Sequence, residues 1–490
     1  MLLQTFTGNV TDNSLRESGM SNGRSCYFSQ PKRSVAKGNS MAIVLGKVDP
    51  LVFDEDAEPI EISSDVFRAR CRDLRRAAGT DWVAIWGDRE HFGNIHYLSN
   101  FDPRFEEALL LLGPDESSYL IVGNEGEMYS YVVRGGHHIV LCQTFSLMGQ
   151  KRDASARLDE VLNQIGLKNG DSVAIVGWKY PEESEELPGE NYFVPAYVMT
   201  ALRAVVGDGT FTDSTHLLID PVDGMRANNE AENIAMLEWG ASRASDAVAR
   251  IVRATKPGLR ELDIMSQMGY AGEPLTCHPM YASGRGTDVI LRSPRNRIVE
   301  LGDPVFVALG YWGGLSCRAG VVASEAPEFV AEWATPYFEG LVSWYETAKP
   351  GVTGGELYEA VSSPMAKAGL TPALNPGHLT ATEEWVNTNV QPGNRTQLKS
   401  GMALQCDVIP AGLPAGVQLN CEDGLALADE KLRTEIADRF PKTWHRIQKR
   451  RDFMRNAIGI NIDDSLLPLS NTPAYFAPAF LSPDEVLINE

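Results

Sequence analysis

The C-terminal half of the chain contains the same order of elements twice. The first copy is an amphipathic segment from Asn229, NEAENIAMLEWGASRASDAVARIVRAT, which ends at a Pro-Gly turn (256–258) before the helical RELDIMSQMG. The second copy is APEFVAEWATPYFEGLVSWYETA, followed by KPGVTGGELYEAVSSPMAKAG. Between them, GDPVFVALGYWGGLSCRAGVV (302–322) predicts two strands joined by a Gly-Gly turn. We therefore predict an α/β (α+β) domain in which two αα-ββ units are related by a pseudo-two-fold axis.

The preceding block has the mixed helix and strand signals of a separate α/β unit. VFRARCRDLRRAAG predicts a helix from about Asp65 to Gly79, and DWVAIWGD predicts a strand after it. Short apolar runs follow, separated by Gly and Pro, and they predict further strands: NIHYLSNF, EALLLLGP, SSYLIVG, YSYVVRGG and HHIVLCQTF. The helical SARLDEVLNQIGL and the strand SVAIVGW complete a unit of about 150 residues, which ends near 210–229.

The charge balance limits the partners that this chain can have. Its 490 residues include 65 Asp and Glu against 44 Lys and Arg, which gives a formal net charge of −21. Binding to nucleic acid or to a membrane surface needs surplus basic residues, so we expect neither partner. We expect the one basic run, Lys449-Arg450-Arg451, to be a solvated helix face. The expected ligand is a small molecule or a short peptide.

The cysteines and the apolar runs indicate the compartment. Seven cysteines are scattered without a C-x-x-C pair, so the sequence predicts neither a disulfide framework nor a zinc site, and a reducing cytoplasm is the simplest location. No run approaches the ~18 apolar residues of a membrane span. Residues 1–40, rich in Ser, Asn and Gly, are typical of a disordered leader or of a start codon assigned too early, with Met41 as the alternative start.

Four local patterns carry a resemblance to a known family. They are MRANNEAENIAMLEWGA, KPGLRELDI, VELGDPVFVALG, and NPGHLTA followed by SGMALQCDVIP and QLNCEDGLAL. This order resembles the superfamily of creatinase, prolidase and aminopeptidase P, whose C-terminal domain has the pita-bread fold. NIHYLSNFDPRFEEALLLLGP is similar to the smaller domain that creatinase and aminopeptidase P place in front of it. The resemblance implies an N-terminal creatinase-like domain (60–215), a pita-bread domain (225–430) and a homodimer. Beyond it, a basic helix and a Pro-rich apolar segment predict a C-terminal helix with an extended tail (431–490) that packs on the body.

The resemblance also implies a metal site, and here the sequence departs from the family. The metal enzymes hold two divalent ions with two Asp on the strand pair, then a His, a Glu and a final Glu, because several anionic ligands must offset the repulsion between two dications. The two Asp positions are Ala308 and Ala319, and the other three are His378, Asp407 and Glu422. We therefore predict no catalytic metal and no cofactor, with a single ion at the last three residues as the open alternative.

Creatinase shows that this fold can hydrolyse a C–N bond without a metal. Its catalytic His, which acts as general acid and base, stands eleven residues before the first metal strand, and Leu291 occupies that position here. A Glu of creatinase two residues beyond the second Asp position matches Val321. The machinery of creatinase is therefore not reproduced residue by residue.

We predict that Arg318 fills the space that the missing metals would occupy. It precedes Ala319, and a guanidinium there would pair with Glu422 or Asp407 and replace two bound cations by one fixed cation. Arg318 is thus a predicted substrate-binding residue.

Two further pairs are predicted to bind substrate. Glu384 and Trp385 in TATEEWVNT combine a carboxylate with an indole, which suits a cationic or amidine ligand, although a plain surface loop is an equal interpretation. Arg104 and Phe105 in DPRFEE match the place from which creatinase-like enzymes send an Arg and an aromatic side chain toward the partner subunit's site.

Three functions remain open. The first is a metal-independent, creatinase-like hydrolase of a C–N bond in a small nitrogenous metabolite, with His378 as general acid or base and with Glu422 and Asp407 orienting the water and the substrate nitrogen. The second is a non-catalytic pita-bread protein that binds a small molecule, a peptide or a protein. The third is an Xaa-Pro-type metalloaminopeptidase with an incomplete site. The sequence has no Walker loop, H-E-x-x-H or G-x-S-x-G motif that would favour another enzyme class.

Overall fold

A computed structural model of the chain describes residues 42–53, 58–286 and 291–490. The predicted leader, residues 1–40, lies outside the described residues. Among the helices of the described part, none combines the length and the apolar composition that crossing a membrane requires.

The first half of the described chain builds a mixed sheet of six strands. Its elements are β1 (Ile43–Lys47), α1 (Ser64–Ala78), β2 (Trp82–Gly87), α2 (Gly93–Ser99), β3 (Ala108–Leu112), β4 (Ser118–Val122), α3 (Asn124–Tyr129), β5 (His138–Leu141), α4 (Leu158–Ile165), β6 (Ser172–Val176), α5 (Ala196–Val206), β7 (Thr210–Asp213) and α6 (His216–Ile219). The strand order is β5-β4-β3-β2-β6-β7, and β1 lies outside this sheet. β2 is buried on both faces and pairs antiparallel with β3 and parallel with β6.

The helix predicted near residues 65–79 and the strand in DWVAIWGD are confirmed by α1 and β2. The apolar runs are not all strands, because NIHYLSNF forms α2 and YSYVVRGG contains a 3-10 turn at Ser130–Val132. In α2, Ile95 and Leu98 are three residues apart and both face the core, which is helical spacing. The helix ends at Asn100, whose φ of 61° is left-handed.

The second half builds a sheet of seven strands. Its elements are α7 (Ala231–Ala254), α8 (Glu261–Met265), β8 (Leu275–Ser283), β9 (Pro304–Tyr311), β10 (Gly314–Val321), α9 (Pro327–Phe329), α10 (Thr335–Thr347), α11 (Gly354–Met365), β11 (Thr371–Pro372), β12 (His378–Leu379), β13 (Ala403–Cys406), β14 (Pro410–Ala411), β15 (Asn420–Leu427), α12 (Glu430–Arg439), α13 (Pro441–Phe453), β16 (Leu466–Pro468) and β17 (Glu485–Asn489). The strand order is β12-β13-β15-β10-β9-β8, with β16 also paired to β15.

The repeated order of helices and strands is confirmed. α7 and α8 precede the β9–β10 hairpin, and α10 and α11 precede β12, β13 and β15. Helix α7 packs directly on the hairpin turn, because a Cβ at Gly240 would lie 1.6 Å from the carbonyl oxygen of Trp312. Only glycine permits that approach, so the close packing of α7 on the turn requires a glycine at position 240. The domain boundaries inferred from the resemblance remain predictions.

The C-terminal helix corrects one prediction. Arg450 and Arg451 on α13 are 0% and 6% exposed, so the basic run is not a solvated face. Arg450 instead pairs with the fully buried Glu238 of α7 at 2.6 Å. The arginine is buried because it pairs with a buried carboxylate on another helix, and the local sequence does not reveal that partner. The extended tail packs on the rest of the chain, since β16 extends the sheet and β17 pairs with β1.

Candidate active site

One face of the seven-stranded sheet carries the candidate site. Ala308 on β9, Cys317 on β10 and Glu422 on β15 lie directly opposite one another across the strands. Ala319 pairs with Asn420 two residues further along. Because directly opposite residues of an antiparallel pair point to the same side, these five side chains share one face.

This face has a polar half and an apolar half. The polar half lies on β12, β13 and β15, where His378 is opposite Gln405. The apolar half, on β8, β9 and β10, is a buried cluster that contains Met280, Ala282, Phe306, Ala308, Leu315, Cys317 and Ala319. The small residues at the two Asp positions of the family are therefore part of a continuous hydrophobic surface.

The three predicted catalytic residues come together in the polar half. One ligand atom from each of His378, Asp407 and Glu422 lies within 4.8 Å of the others. Their exposed fractions are 0%, 6% and 4%, so the cluster is sealed from solvent. His378 begins β12, Asp407 directly follows β13, and Glu422 is inside β15, which places all three on neighbouring strands.

Several polar atoms in this cluster have no hydrogen-bond partner. They are Asp407 Oδ1, Glu422 Oε1, Gln405 Oε1, Asn420 Oδ1 and Thr380 Oγ1. Buried polar atoms in native proteins are nearly always paired with protein or with ordered solvent. Their convergence at one place indicates a site that is built to receive a polar ligand.

The His378 ring is held from two sides. Its Nε2 lies 2.9 Å from a carboxylate oxygen of Glu384. The indole of Trp385 stacks on the ring with centroids 4.1 Å apart and 23° between the planes. Trp385 also lines two cavities of about 170 and 520 Å³. The indole therefore contacts the buried imidazole and forms part of the wall of both cavities.

The electrostatics of the cluster favour protonated groups. Burial by itself lowers the pKa of His378, but the charge of Glu384 and its contact with the ring outweigh burial, so the pKa is raised. Burial raises the pKa of Asp407 to about 6, with His378 opposing the rise and Glu384 adding to it. Burial, followed by the charges of Asp407 and Glu384, holds the pKa of Glu422 well above its ordinary value. At neutral pH the cluster therefore contains a proton donor beside a carboxylate.

Arg318 is not where the sequence analysis placed it. It lies between Cys317 and Ala319 on β10, so it points to the opposite face of the sheet. Its Nη2 bonds both carboxylate oxygens of Asp423 at 3.0 and 2.9 Å, and its Nε donates to the Tyr475 carbonyl at 2.8 Å. The predicted pairing with Glu422 or Asp407 is wrong, because adjacent residues on a strand face opposite sides.

Comparisons with known proteins agree with this architecture. Residues 237–430 match the model of metallopeptidase family M24. The structure is similar to an Xaa-Pro dipeptidase from Bacillus anthracis (TM-score 0.57, 17% identity, covering 75% of this chain and 96% of that one). It is also similar to the prolidase from Pyrococcus horikoshii OT3 (TM-score 0.59, 18% identity, 74% and 95%) and to an X-Pro aminopeptidase from Thermotoga maritima MSB8 (TM-score 0.55, 16% identity, 73% and 96%). No curated protein sequence matches the chain.

The match of residues 237–430 to family M24 and the fold shared with these solved structures agree with the resemblance to the creatinase, prolidase and aminopeptidase P superfamily. The predicted fold class, with a pita-bread domain, is confirmed. The match to family M24 supports a peptidase-type hydrolase.

The residues present do not fit the two ions of the superfamily's metal enzymes. Ala308 and Ala319 offer methyl groups inside an apolar cluster, where two bridging carboxylates are needed. His378, Asp407 and Glu422 make a donor set for a single divalent ion, since one imidazole and two carboxylates converge within 4.8 Å. Any superfamily chemistry that needs two ions is therefore excluded by the ligand set itself.

The remaining predicted binding residues lie in different environments. The pair Glu383 and Glu384 is split, because Glu383 forms an ion pair with the buried Arg226 while Glu384 pairs with His378. Arg104 donates to the Tyr129 hydroxyl at 2.7 Å, and Phe105 is 66% exposed. The role of these last two toward a partner subunit's site stays a prediction.

Three residues of this face of the sheet were missed from the sequence. Asn420 and Gln405 stand two residues before Glu422 and Asp407, and Cys317 stands two before Ala319. The period of two along a strand places each of them on the same face as its partner. The signal was therefore present once the strands were identified.

Proposed function

We propose that this protein hydrolyses a C–N bond in a small nitrogenous metabolite, without a metal, by acid–base chemistry centred on His378. The observation that carries the proposal is the sealed cluster in which an imidazole, paired with Glu384 at 2.9 Å, faces two carboxyl groups of raised pKa. Sites in which environments shift titratable groups away from their ordinary pKa are typical of catalysis.

The three residues take different roles because their charges differ. Asp407, with a pKa of about 6, is mostly ionised at neutral pH and accepts a proton from the attacking water. His378, whose pKa Glu384 raises, donates a proton to the leaving nitrogen. Glu422 stays protonated and donates a hydrogen bond to the substrate nitrogen or oxygen that gains electron density when water adds to the carbon. The water oxygen bonds to carbon, the C–N bond breaks, and one proton is taken up as another is delivered.

The apolar half of the face supplies the medium for this chemistry. Phe306, Leu315 and Cys317 are buried beside the cluster and exclude water from it. Electrostatic interactions strengthen in such surroundings.

Substrate entry requires that Trp385 move. His378 is fully buried and stacked against the indole, which also lines the cavity of about 520 Å³. Glu384 and Trp385 would then meet the incoming substrate together, which fits a cationic or amidine compound. The closed arrangement keeps bulk water away from the cluster between turnovers.

The test is a turnover assay on chelator-treated protein. The panel contains guanidino, ureido and cyclic amidine compounds together with Pro-containing dipeptides, and product release is measured for wild type and for His378→Ala. His445→Ala is the matched control, because His445 is an exposed residue of α13. We expect turnover by wild type and by the control and none by His378→Ala. Turnover that survives in His378→Ala refutes the proposal.

A second candidate is an Xaa-Pro peptidase that uses one ion. The convergence of His378, Asp407 and Glu422 within 4.8 Å favours it, because these three would hold the ion. A bound divalent ion supplies Lewis acidity toward the scissile carbonyl. Turnover of a Pro-containing dipeptide that appears only after Mn²⁺ or Co²⁺ is added identifies this candidate and contradicts the first.

We also expect a homodimer. Phe105, Met128 and Tyr131 are 66%, 73% and 76% exposed, and Tyr129, against which Arg104 packs, contacts Tyr131 edge-on. Exposed aromatic and Met side chains together are typical of an interface. Light scattering on the full chain tests this expectation, and a monomer at micromolar concentration would contradict it.

A further inference from the structure

A basic cavity lies in the N-terminal part of the chain, remote in sequence from the His378 cluster. It has a volume of about 230 Å³. One wall is helix α1, which contributes Arg68, Arg72 and Arg75. The other wall comes from Glu116–Ser118, next to β4, and from residues 135–137, just before β5.

The three arginines of α1 share one face of the helix and differ in their partners. Their spacing of four and three residues puts all three on one face of α1. Arg68 pairs with Asp65, which is itself 86% exposed, and Arg75 donates to the Asp81 carbonyl at 2.9 Å. Among the residues that the structure describes, no ion pair involves Arg72. The chain as a whole has a net charge of −21, so three guanidinium groups at one cavity make the local charge opposite in sign to the net charge.

The opposite wall is held in place by hydrogen bonds. His137 Nε2 lies 3.2 Å from the Leu98 carbonyl, which only accepts, so Nε2 carries the proton. Nδ1 is then the acceptor for the Ser118 hydroxyl, with which it makes a short contact. Gly135 has a φ of 93°, and a Cβ there would lie 2.8 Å from His137 Nε2. The turn that closes the cavity is therefore specific to glycine.

The one thiol in the cavity does not suggest covalent chemistry. Burial raises the pKa of Cys71 to about 12, with the charges of Arg70 and Arg72 opposing the rise. A thiol that stays protonated at neutral pH is a poor nucleophile. Binding, rather than reaction, is the function that the lining supports.

We propose that this cavity binds a small anion that carries a phosphoryl group. Guanidinium forks match the oxygens of a phosphoryl group in two-point contacts, and three arginines line this cavity. Its volume of about 230 Å³ is more than one phosphate needs and suits a diphosphate or the phosphate ester of a small metabolite. This inference does not rest on the proposed hydrolase activity.

Calorimetry on the full chain at low ionic strength tests the proposal, with inorganic phosphate, pyrophosphate and a phosphate monoester as separate arms. Saturable binding at one site per chain is expected, and the arm that binds most tightly distinguishes a diphosphate from an ester. Arg72→Ala should weaken the affinity about tenfold or more, because a charge-assisted pair of contacts is lost. Arg72→Lys, which keeps the charge but loses the fork, should fall between.

Arg76→Ala is the matched control. Arg76 lies on the same helix but pairs with Asp73 and does not line the cavity. Its loss should leave the affinity unchanged. Arg72 and Arg76 are both exposed, so thermal unfolding should be the same for wild type and both variants. The absence of saturable binding in every arm, or equal weakening by Arg72→Ala and Arg76→Ala, would overturn the proposal.

Discussion

Replacing Arg318 by Met should destabilise the fold strongly without acting on the site directly. The guanidinium is 5% exposed and bonds Asp423, which is 1% exposed, together with the carbonyls of Glu422 and Tyr475. Met keeps most of the side-chain length but removes every donor. A buried carboxylate then remains without its partner, which costs about 3–5 kcal/mol. Free energies of unfolding are about 5–15 kcal/mol in total, so the variant should unfold at a much lower urea concentration than wild type.

The assay is urea unfolding followed by fluorescence, with the midpoint converted to a free energy. Arg318→Met/Asp423→Leu is the control, because removing both charges avoids the unpaired carboxylate and should recover more than half of the loss. If Arg318→Met reduces the free energy of unfolding by less than about 1 kcal/mol, a value typical of exposed ion pairs, the expected penalty for an unpaired buried Asp423 is wrong. Weakened ligand binding with unchanged stability would instead restore Arg318 to the site.

Three further outcomes are expected. Burial, with Arg70 and Arg226 nearby, lowers the pKa of His96 from 6.5 to about 3. The folded state thus binds fewer protons than the unfolded state, so the free energy of unfolding falls as the pH drops below 6.5. Between pH 7.5 and pH 4.5, urea unfolding should show that wild type loses about 2–3 kcal/mol more of this free energy than His96→Phe does. The arginine partners of Glu238 outweigh its burial and lower its pKa. In urea unfolding at pH 7, Glu238→Gln should reduce the free energy of unfolding by about 3–5 kcal/mol. This difference from wild type should vanish as the pH falls through the lowered pKa, because Glu238 of wild type then becomes neutral too. Trp385→Ala should make His378 react with diethylpyrocarbonate about tenfold faster or more, as mass spectrometry would show, because the stacked indole shields the ring.

The arrangement of elements could be predicted because its signals are local. The periodic apolar residues of α7, its Pro-Gly stop and the Gly-Gly turn at Gly313 are each visible within a short window. The three site residues followed from the resemblance, since each occupies a position that the family's motif defines. The strand order brought them within 4.8 Å as expected.

What the sequence could not show depends on contacts between distant segments. The burial of Arg450 requires Glu238, which is 212 positions earlier in the chain. The pairing of His378 with Glu384 is local, yet whether a loop carboxylate turns inward depends on the packing of Trp385 above it. The Arg318 error was avoidable, because strand alternation alone places it away from Ala319.

The most direct test of the central claim is the rate of C–N hydrolysis by chelator-treated wild type, with metal content measured on the same sample. The compound should be whichever guanidino, ureido or cyclic amidine compound most raises the melting temperature. We expect turnover at less than stoichiometric metal, and we expect His378→Ala to lose this turnover while it keeps the melting temperature of wild type. Turnover that appears only when a divalent ion is restored would contradict it and assign the site to a single-ion peptidase. Ligand binding without turnover under either condition would contradict it as well and leave a non-catalytic binding protein.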